Sequence, residues 1–351
     1  MICHSPFRMQ WAFVYLAALC SFSSGKEISD FEALASQPTR CVYERAYDMY
    51  GAHCVGLKLN KIPNLKSGLE ILDLTDNKLK ELGPDAFSGQ TSIRFLYLAD
   101  NSIFSVHEET FTPLTSLETL DLSMNVIQSL PLSILNLPSL RNLYLSGNPL
   151  VTLNTDVSSL AKPLKAPLEQ LDVSNCRLFK LPDFGSLPQL RFYNISHNPL
   201  RMLEAEHFAN ACNLNKIDMT EALYLMKLCD AHQTIMWLQQ RHAHIVLADY
   251  TILNSDDFFN CRKNELSQSN NVTFHNCKSE YLQVIYQTIK SSRSKLLTIG
   301  GGLAGFLFGF IFLLYIMHRR NVAQTQKMAS KTTPTKDGDK QTNTALLENA
   351  S

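Results

Sequence analysis

The sequence predicts an α/β solenoid, a horseshoe of stacked repeats with one parallel sheet along its concave side. The pattern LxxLxLxxNxL is complete in Leu117 to Ile127, with Asn125. It recurs from Leu69 (Asn77), Ile93 (Asn101), Leu140 (Asn148) and Leu190 (Asn198), with degenerate copies from Leu168 and Leu214. The starts lie 24, 24, 23, 28, 22 and 24 residues apart, and self-similarity at such a period marks a chain built from stacked supersecondary units. Within each copy the leucines of LxL alternate with polar residues, which is the period of a strand buried on one face.

The Asn ends each strand, where its amide can satisfy backbone groups of its own turn and of the neighbouring coil. The rest of each repeat returns along the outside and carries apolar anchors: Leu82 and Phe87, Val106 and Phe111, Leu130 and Ile134, Leu181 and Phe184, Leu203 and Phe208. One repeat cannot bury these alone, so stacking is obligatory and the ends need caps. On these residues, from about 41 to 277, the chain resembles the extracellular leucine-rich-repeat (LRR) family of single-pass membrane receptors and adhesion proteins. Its reduced caps depart from the vertebrate neuronal pattern and resemble an invertebrate branch.

Taken in order, the chain begins with His4 and Arg8, an apolar run from Trp11 to Cys20, then small residues up to Gly25. That is the layout of a secretory signal peptide, assigned to residues 1–25. Residues 26–66 read as an N-terminal cap. Cys54-Val-Gly-Leu-Lys-Leu-Asn-Lys-Ile-Pro63 resembles the last cysteine and first strand of such caps, and the resemblance implies a Cys41–Cys54 disulfide. The repeats occupy 67–228. The 28-residue fourth copy is expected to hold an outer loop at Ala161 to Pro167, and Cys176 a buried free thiol at an Asn position.

From Cys229 to residue 278 the pattern turns helical and resembles a C-terminal cap. The family's pairing implies Cys229 with Cys261. Cys277 then has three open alternatives: Cys212, Cys229, or a Cys277 of another chain. A stalk (279–295) precedes Leu296 to Met317, 22 residues without a charge and enough for roughly 33 Å of helix. His318-Arg319-Arg320 stops transfer. The tail, 318–351, holds six Lys/Arg, three Asp/Glu and no Tyr, and its composition predicts disorder. Gly301, Gly305 and Gly309 recur every four residues, a spacing that lets membrane helices associate into a homodimer.

Aligning the repeats predicts what the concave face displays. The residue after the second leucine runs Asp73, Tyr97, Asp121, Tyr144, Asp172, Asn194, Asp218, and the residue two before that leucine alternates Glu and Arg from Glu70 to Arg191. An ion-pair ladder accounts for the alternation. The binding site is read as Arg94, Phe95, Tyr97, Asp121, Arg141 and Tyr144, because aromatic and arginine residues dominate interface energetics. Sequons at Asn194 and Asn271 fit an extracellular, glycosylated chain.

Balanced charge, 32 basic against 32 acidic residues, gives no global argument for nucleic acid. Neither a catalytic motif nor metal-ligand spacing occurs, so no cofactor, metal or enzymatic activity is expected. The reading is a type I plasma-membrane glycoprotein, N-terminus outside. It binds an extracellular or cell-surface protein through the concave face, in adhesion or as a co-receptor. Innate-immune recognition and an escort subunit of a membrane complex are the alternatives.

Overall fold

The computed structural model describes residues 40–160, 164–226, 228–248, 261 and 268–331. The leader, the first residues of the N-terminal cap, the tail after Lys331, and parts of the insertion and of the C-terminal cap lie outside the described residues. The chain divides into two compact units, Met1–Lys278 and Ser279–Ser351.

In the first unit every copy of the motif forms a strand of three residues: β3 (Ile71–Asp73), β5 (Phe95–Tyr97), β7 (Thr119–Asp121), β8 (Asn142–Tyr144), β9 (Gln170–Asp172), β10 (Phe192–Asn194) and β11 (Lys216–Asp218). All pair in parallel and without a slip, Leu72 opposite Leu96, Leu120, Leu143, Leu171, Tyr193 and Ile217 in turn. Register is this firm because a shift of one residue would put the leucines in water. A small pair, β4 (Glu81–Leu82) with β6 (Ser105–Val106), lies on the return side. There Phe87 stacks on Phe111 with ring centroids 5.8 Å apart. The anchors read from the sequence are buried, Val106 only partly. This is a leucine-rich-repeat solenoid with a parallel sheet.

The caps extend that sheet by strands that the pattern hides. The first cap strand is not Cys54 to Pro63. It is β2 (Met49–His53), parallel to β3, with β1 (Val42–Ala46) antiparallel on its outer edge. Ala52 falls opposite Leu72, and Cys54 donates its N–H to Asp73 O at 2.8 Å, as Leu74 does to Tyr97 O. Alanine and cysteine therefore occupy the two leucine positions of a degenerate repeat. At the other end β12 (His244–Val246) adds parallel to β11, after the helix Leu228–Gln239. The long fourth repeat takes up its extra residues partly as a short helix, Leu153–Ser158.

Asn77, Asn101, Asn125, Asn148 and Asn198 form a ladder, buried except at the half-buried Asn101. Asn125 Nδ2 donates to Leu122 O at 2.9 Å and to Leu98 O of the preceding repeat at 3.0 Å, while Oδ1 accepts Ile103 N at 2.9 Å. Cys176 and Ala222 interrupt the ladder. The donors they leave behind, Leu150 N and Leu200 N, turn back to Asn148 O and Asn198 O at 2.9 and 2.8 Å. Pro149 and Pro199 precede those two leucines, and their fixed φ favours the tight turn. A broken rung is thus compensated one repeat earlier.

Cys176 is the free cysteine of the described residues. Its thiol donates to Leu145 O at 3.2 Å, and burial pushes it up to about 12. The raised value means that its contribution to stability is present below the unfolded value of about 8.5 and is lost as pH rises through about 12. We expect no reaction with a thiol reagent at pH 8 until denaturant is added, followed by stoichiometric labelling. Rapid labelling of native protein would contradict this burial.

Disulfides join Cys41 to Cys54, Cys229 to Cys261 and Cys212 to Cys277. The pairing removes the alternatives for Cys277 with Cys229 or with a second chain. Its sulfur is already bonded just before the last repeat, so Cys277 offers no thiol for an intermolecular bond.

The long helix Gln268–Lys331 begins in the first unit and makes up the described part of the second, and it carries a segment long and apolar enough to cross a membrane. Gly301, Gly305 and Gly309 have open space around them. The helix continues through His318–Lys331, where composition predicts disorder. Turns already formed upstream propagate into Ala-, Gln- and Lys-containing sequence at little cost.

Candidate protein-binding face

Each three-residue strand of the repeats hides its middle residue and turns its first and third toward the open side, where Thr119 is nonetheless buried. Two columns therefore run along the open face of the sheet. The first includes Gly51, Ile71, Phe95, Thr119, Asn142 and Gln170; the second includes His53, Asp73, Tyr97, Asp121, Tyr144 and Asp172. Parallel strands about 4.8 Å apart set the spacing along each column.

Most of the second column has a local task. Asp73, Asp121, Asp172, Asn194 and Asp218 each accept, through Oδ1, the backbone N–H two residues on, at 2.8 to 3.1 Å. That contact closes the strand exit in the manner of an Asx turn. Tyr97 and Tyr144 stand at the same register and have no short side-chain oxygen to do so. Tyr144 Oη instead donates to Gln170 Oε1 at 2.9 Å. Burial pushes the Tyr144 phenol up to about 12, with the nearby Asp121 adding to it. Tyr97 is raised for the same first reason, then by Asp73 and Asp121. The Asp121 carboxyl is also raised, chiefly by burial, although its contact with Ser123 opposes this and Asp172 and Asp100 add to it.

The charged ladder lies beside the first column. Arg94 bridges Glu70 at 3.6 Å and Glu118 at 2.7 Å, and Arg141 pairs with Glu169. Exposed pairs of this kind contribute about 0.2–1 kcal/mol each. Arg94 also lies over the Phe95 ring, 5.4 Å from its centroid. Next to it is a polar depression of about 520 Å³ lined by Thr91, Ser92, Thr115 and Ser116 with Glu70 and Arg94.

All six residues read from the sequence as a binding site thus sit on β5 to β8 or immediately before those strands. The sequence reading missed His53 on β2 and Glu44 on β1, whose side chains meet at 3.3 Å on the cap; β2 was hidden because Ala52 and Cys54 fill its leucine positions. The Asx contacts were legible as Asp-Leu-Thr/Ser, a signal the sequence reading left unused. Asn194 lies on the open face. Its amide is engaged at both ends, donating to Asp172 Oδ2 at 2.9 Å and accepting Ser196 N at 3.1 Å. Asn271 accepts from Arg241, so both sequons are hydrogen-bonded in the folded chain. Among the described residues no group of His, Cys, Asp or Glu is arranged to hold a metal ion.

The family described as leucine rich repeat matches residues 64–103 and 92–150, the segment that carries Tyr97, Asp121 and Tyr144. Over 73 residues the chain is 44% identical to Chaoptin of Drosophila melanogaster, a stretch covering 20% of this chain and 5% of that protein. The chain therefore spans a small part of that relative. Among solved structures it is similar to human 5T4 (Wnt-activated inhibitory factor 1, Trophoblast glycoprotein). Identity is 23%, coverage 56% of this chain and 75% of that one, and the TM-score 0.47. The APL1 leucine-rich repeat domain is similar at 24% identity, over 45% of this chain and 41% of that one, with a TM-score of 0.35.

Proposed function

We propose that this leucine-rich-repeat chain is a type I cell-surface glycoprotein. Its repeats bind an extracellular or membrane protein on the open sheet face between β5 and β8, in adhesion or as a co-receptor. One observation carries the reading. Five repeats spend the residue after the buried second-leucine position on closing their own strand, and two give up that contact to place a tyrosine there. The two sit on either side of Asp121, beside Phe95 and the Arg94 ladder. A local stabilising contact given up for half-buried phenols fits a surface shaped by a partner, since such rings supply interface anchors. A spanning segment at Leu296–Met317 and the leader read at 1–25 support an outward-facing repeat unit.

The test is staining of cells by the full chain in lipid nanodiscs. Tyr97→Ala with Tyr144→Ala is expected to weaken staining by at least about 30-fold, the equivalent of about 2 kcal/mol, with unchanged thermal unfolding. Neither ring fills the core, so folding is spared. Undiminished staining by the folded double variant would reject the face. In cells that express the full chain, an antibody to the repeats must label without permeabilisation, or the orientation is wrong.

A further inference from the structure

Asp121 has an aromatic on each side and, among the described residues, no ion pair. In strand register it lies between Tyr97 and Tyr144, and at about 4.8 Å per strand each tyrosine backbone is about 5 Å away. A cation above the carboxylate would then come within about 6 Å of both rings, the range in which ring faces attract it. No lysine or arginine shares the column from His53 to Asp218, which holds Asp73, Asp172 and Asp218 as well. The closest column-mates on its other side, Phe95, Thr119 and Asn142, are uncharged.

Arg191 lies beside β10, three strands from Asp121 along the sheet, and the other basic groups of the face have contacts of their own. Arg94 is held by Glu70 and Glu118, and Arg141 by Glu169. Lys216 lies over Phe192, 5.0 Å from that ring. The neighbouring charges that act on Asp121 are Asp172 and Asp100, both of its own sign. With 32 basic and 32 acidic residues the chain is neutral overall, so the negative character belongs to this column.

We propose that the partner is a protein that presents an arginine or lysine side chain to Asp121, held between the rings of Tyr97 and Tyr144. This rests on the binding role assigned above to that face. The carboxylate supplies a charge-assisted hydrogen bond and the rings supply cation–π attraction in a partly desolvated setting. A purely structural Asp121 would need only to accept Ser123 N, at 2.9 Å, and an asparagine does that equally well. Asn194 shows it at the same register, accepting Ser196 N at 3.1 Å. Asp121→Asn therefore keeps the turn and removes only the charge.

The experiment uses the full chain in nanodiscs and fluorescent peptide pools. Each pool has one fixed residue (arginine, lysine or citrulline) among random uncharged ones. The arginine and lysine pools are expected to bind the wild type about tenfold or more tighter than the citrulline pool, and Asp121→Asn to erase that preference. Citrulline keeps the shape of arginine without its charge. Equal binding of the arginine and citrulline pools, a preference that survives Asp121→Asn, or no binding by any pool would each overturn the inference. Cell staining separates the two levels. Staining that needs the tyrosines while the pools show no cation preference leaves the binding face standing and removes the cation. Staining indifferent to the tyrosines removes both.

Discussion

Asn148→Ala is expected to lower unfolding free energy by about 2 kcal/mol, since a buried polar group left unpaired costs about 1–3 kcal/mol. The side chain is fully buried. Its Nδ2 donates to Leu122 O at 2.9 Å and Leu145 O at 2.8 Å, and its Oδ1 accepts Ile127 N at 3.0 Å. Truncation orphans Ile127 N, while Leu122 O keeps the Asn125 amide and Leu145 O keeps the Cys176 thiol. The two natural gaps do not predict tolerance here. Leu150 N and Leu200 N are satisfied by the carbonyl of their own repeat's Asn, across a proline. The segment Asn125-Val126-Ile127 has no proline to favour that turn, and Val126 N is committed to Ile103 O at 3.0 Å. Denaturant unfolding followed by far-UV circular dichroism measures the loss. A change below about 1 kcal/mol, the size of one ordinary hydrogen bond, would show that the ladder is not cooperative.

Replacing Cys212 and Cys277 together by serine is expected to cost about 4 kcal/mol, from the loop entropy released to the unfolded chain by a closure of this length. The bond spans 65 residues of sequence and fastens the segment before Ser279 to the chain just before the last repeat. Both sulfurs are buried, Cys212 5% and Cys277 2% exposed. The double change avoids leaving one reactive thiol and isolates the crosslink. Loss should be read in the C-terminal repeats first, as early hydrogen exchange in β10, β11 and β12, because each repeat of a solenoid is held only by its neighbours. Stability within about 1 kcal/mol of wild type would show that the cap is held without the bond. The same pairing predicts a monomer on non-reducing gels; a covalent dimer that vanishes in the double variant would mean that the bond is exchanged between chains.

The seven repeat strands and their register were legible because leucines at alternating positions can be buried on one side only, and a slip exposes them all. The buried thiol of Cys176 was legible for the same reason, since its position in the repeat is an interior one. So were the six residues on the open face, whose columns follow from period 2 alone. The cap strands were not, because Ala52 and Cys54 fill leucine positions without looking like leucines. Cysteine spacing likewise left Cys277 open, for pairing depends on which Cα atoms come within about 6 Å and not on order along the chain.

The sequence by itself determined the repeat, the strand faces and the columns, because each of these follows from a local periodicity. What only the tertiary structure decided is which charges on those columns are paired. Arg94 and Arg141 meet Glu118 and Glu169 across strands, while Asp121 accepts the Ser123 N–H of its own turn and lies in register between two tyrosines. Pairing across strands depends on distances of a few ångströms between residues more than twenty apart in sequence, and only the stacked sheet sets those distances.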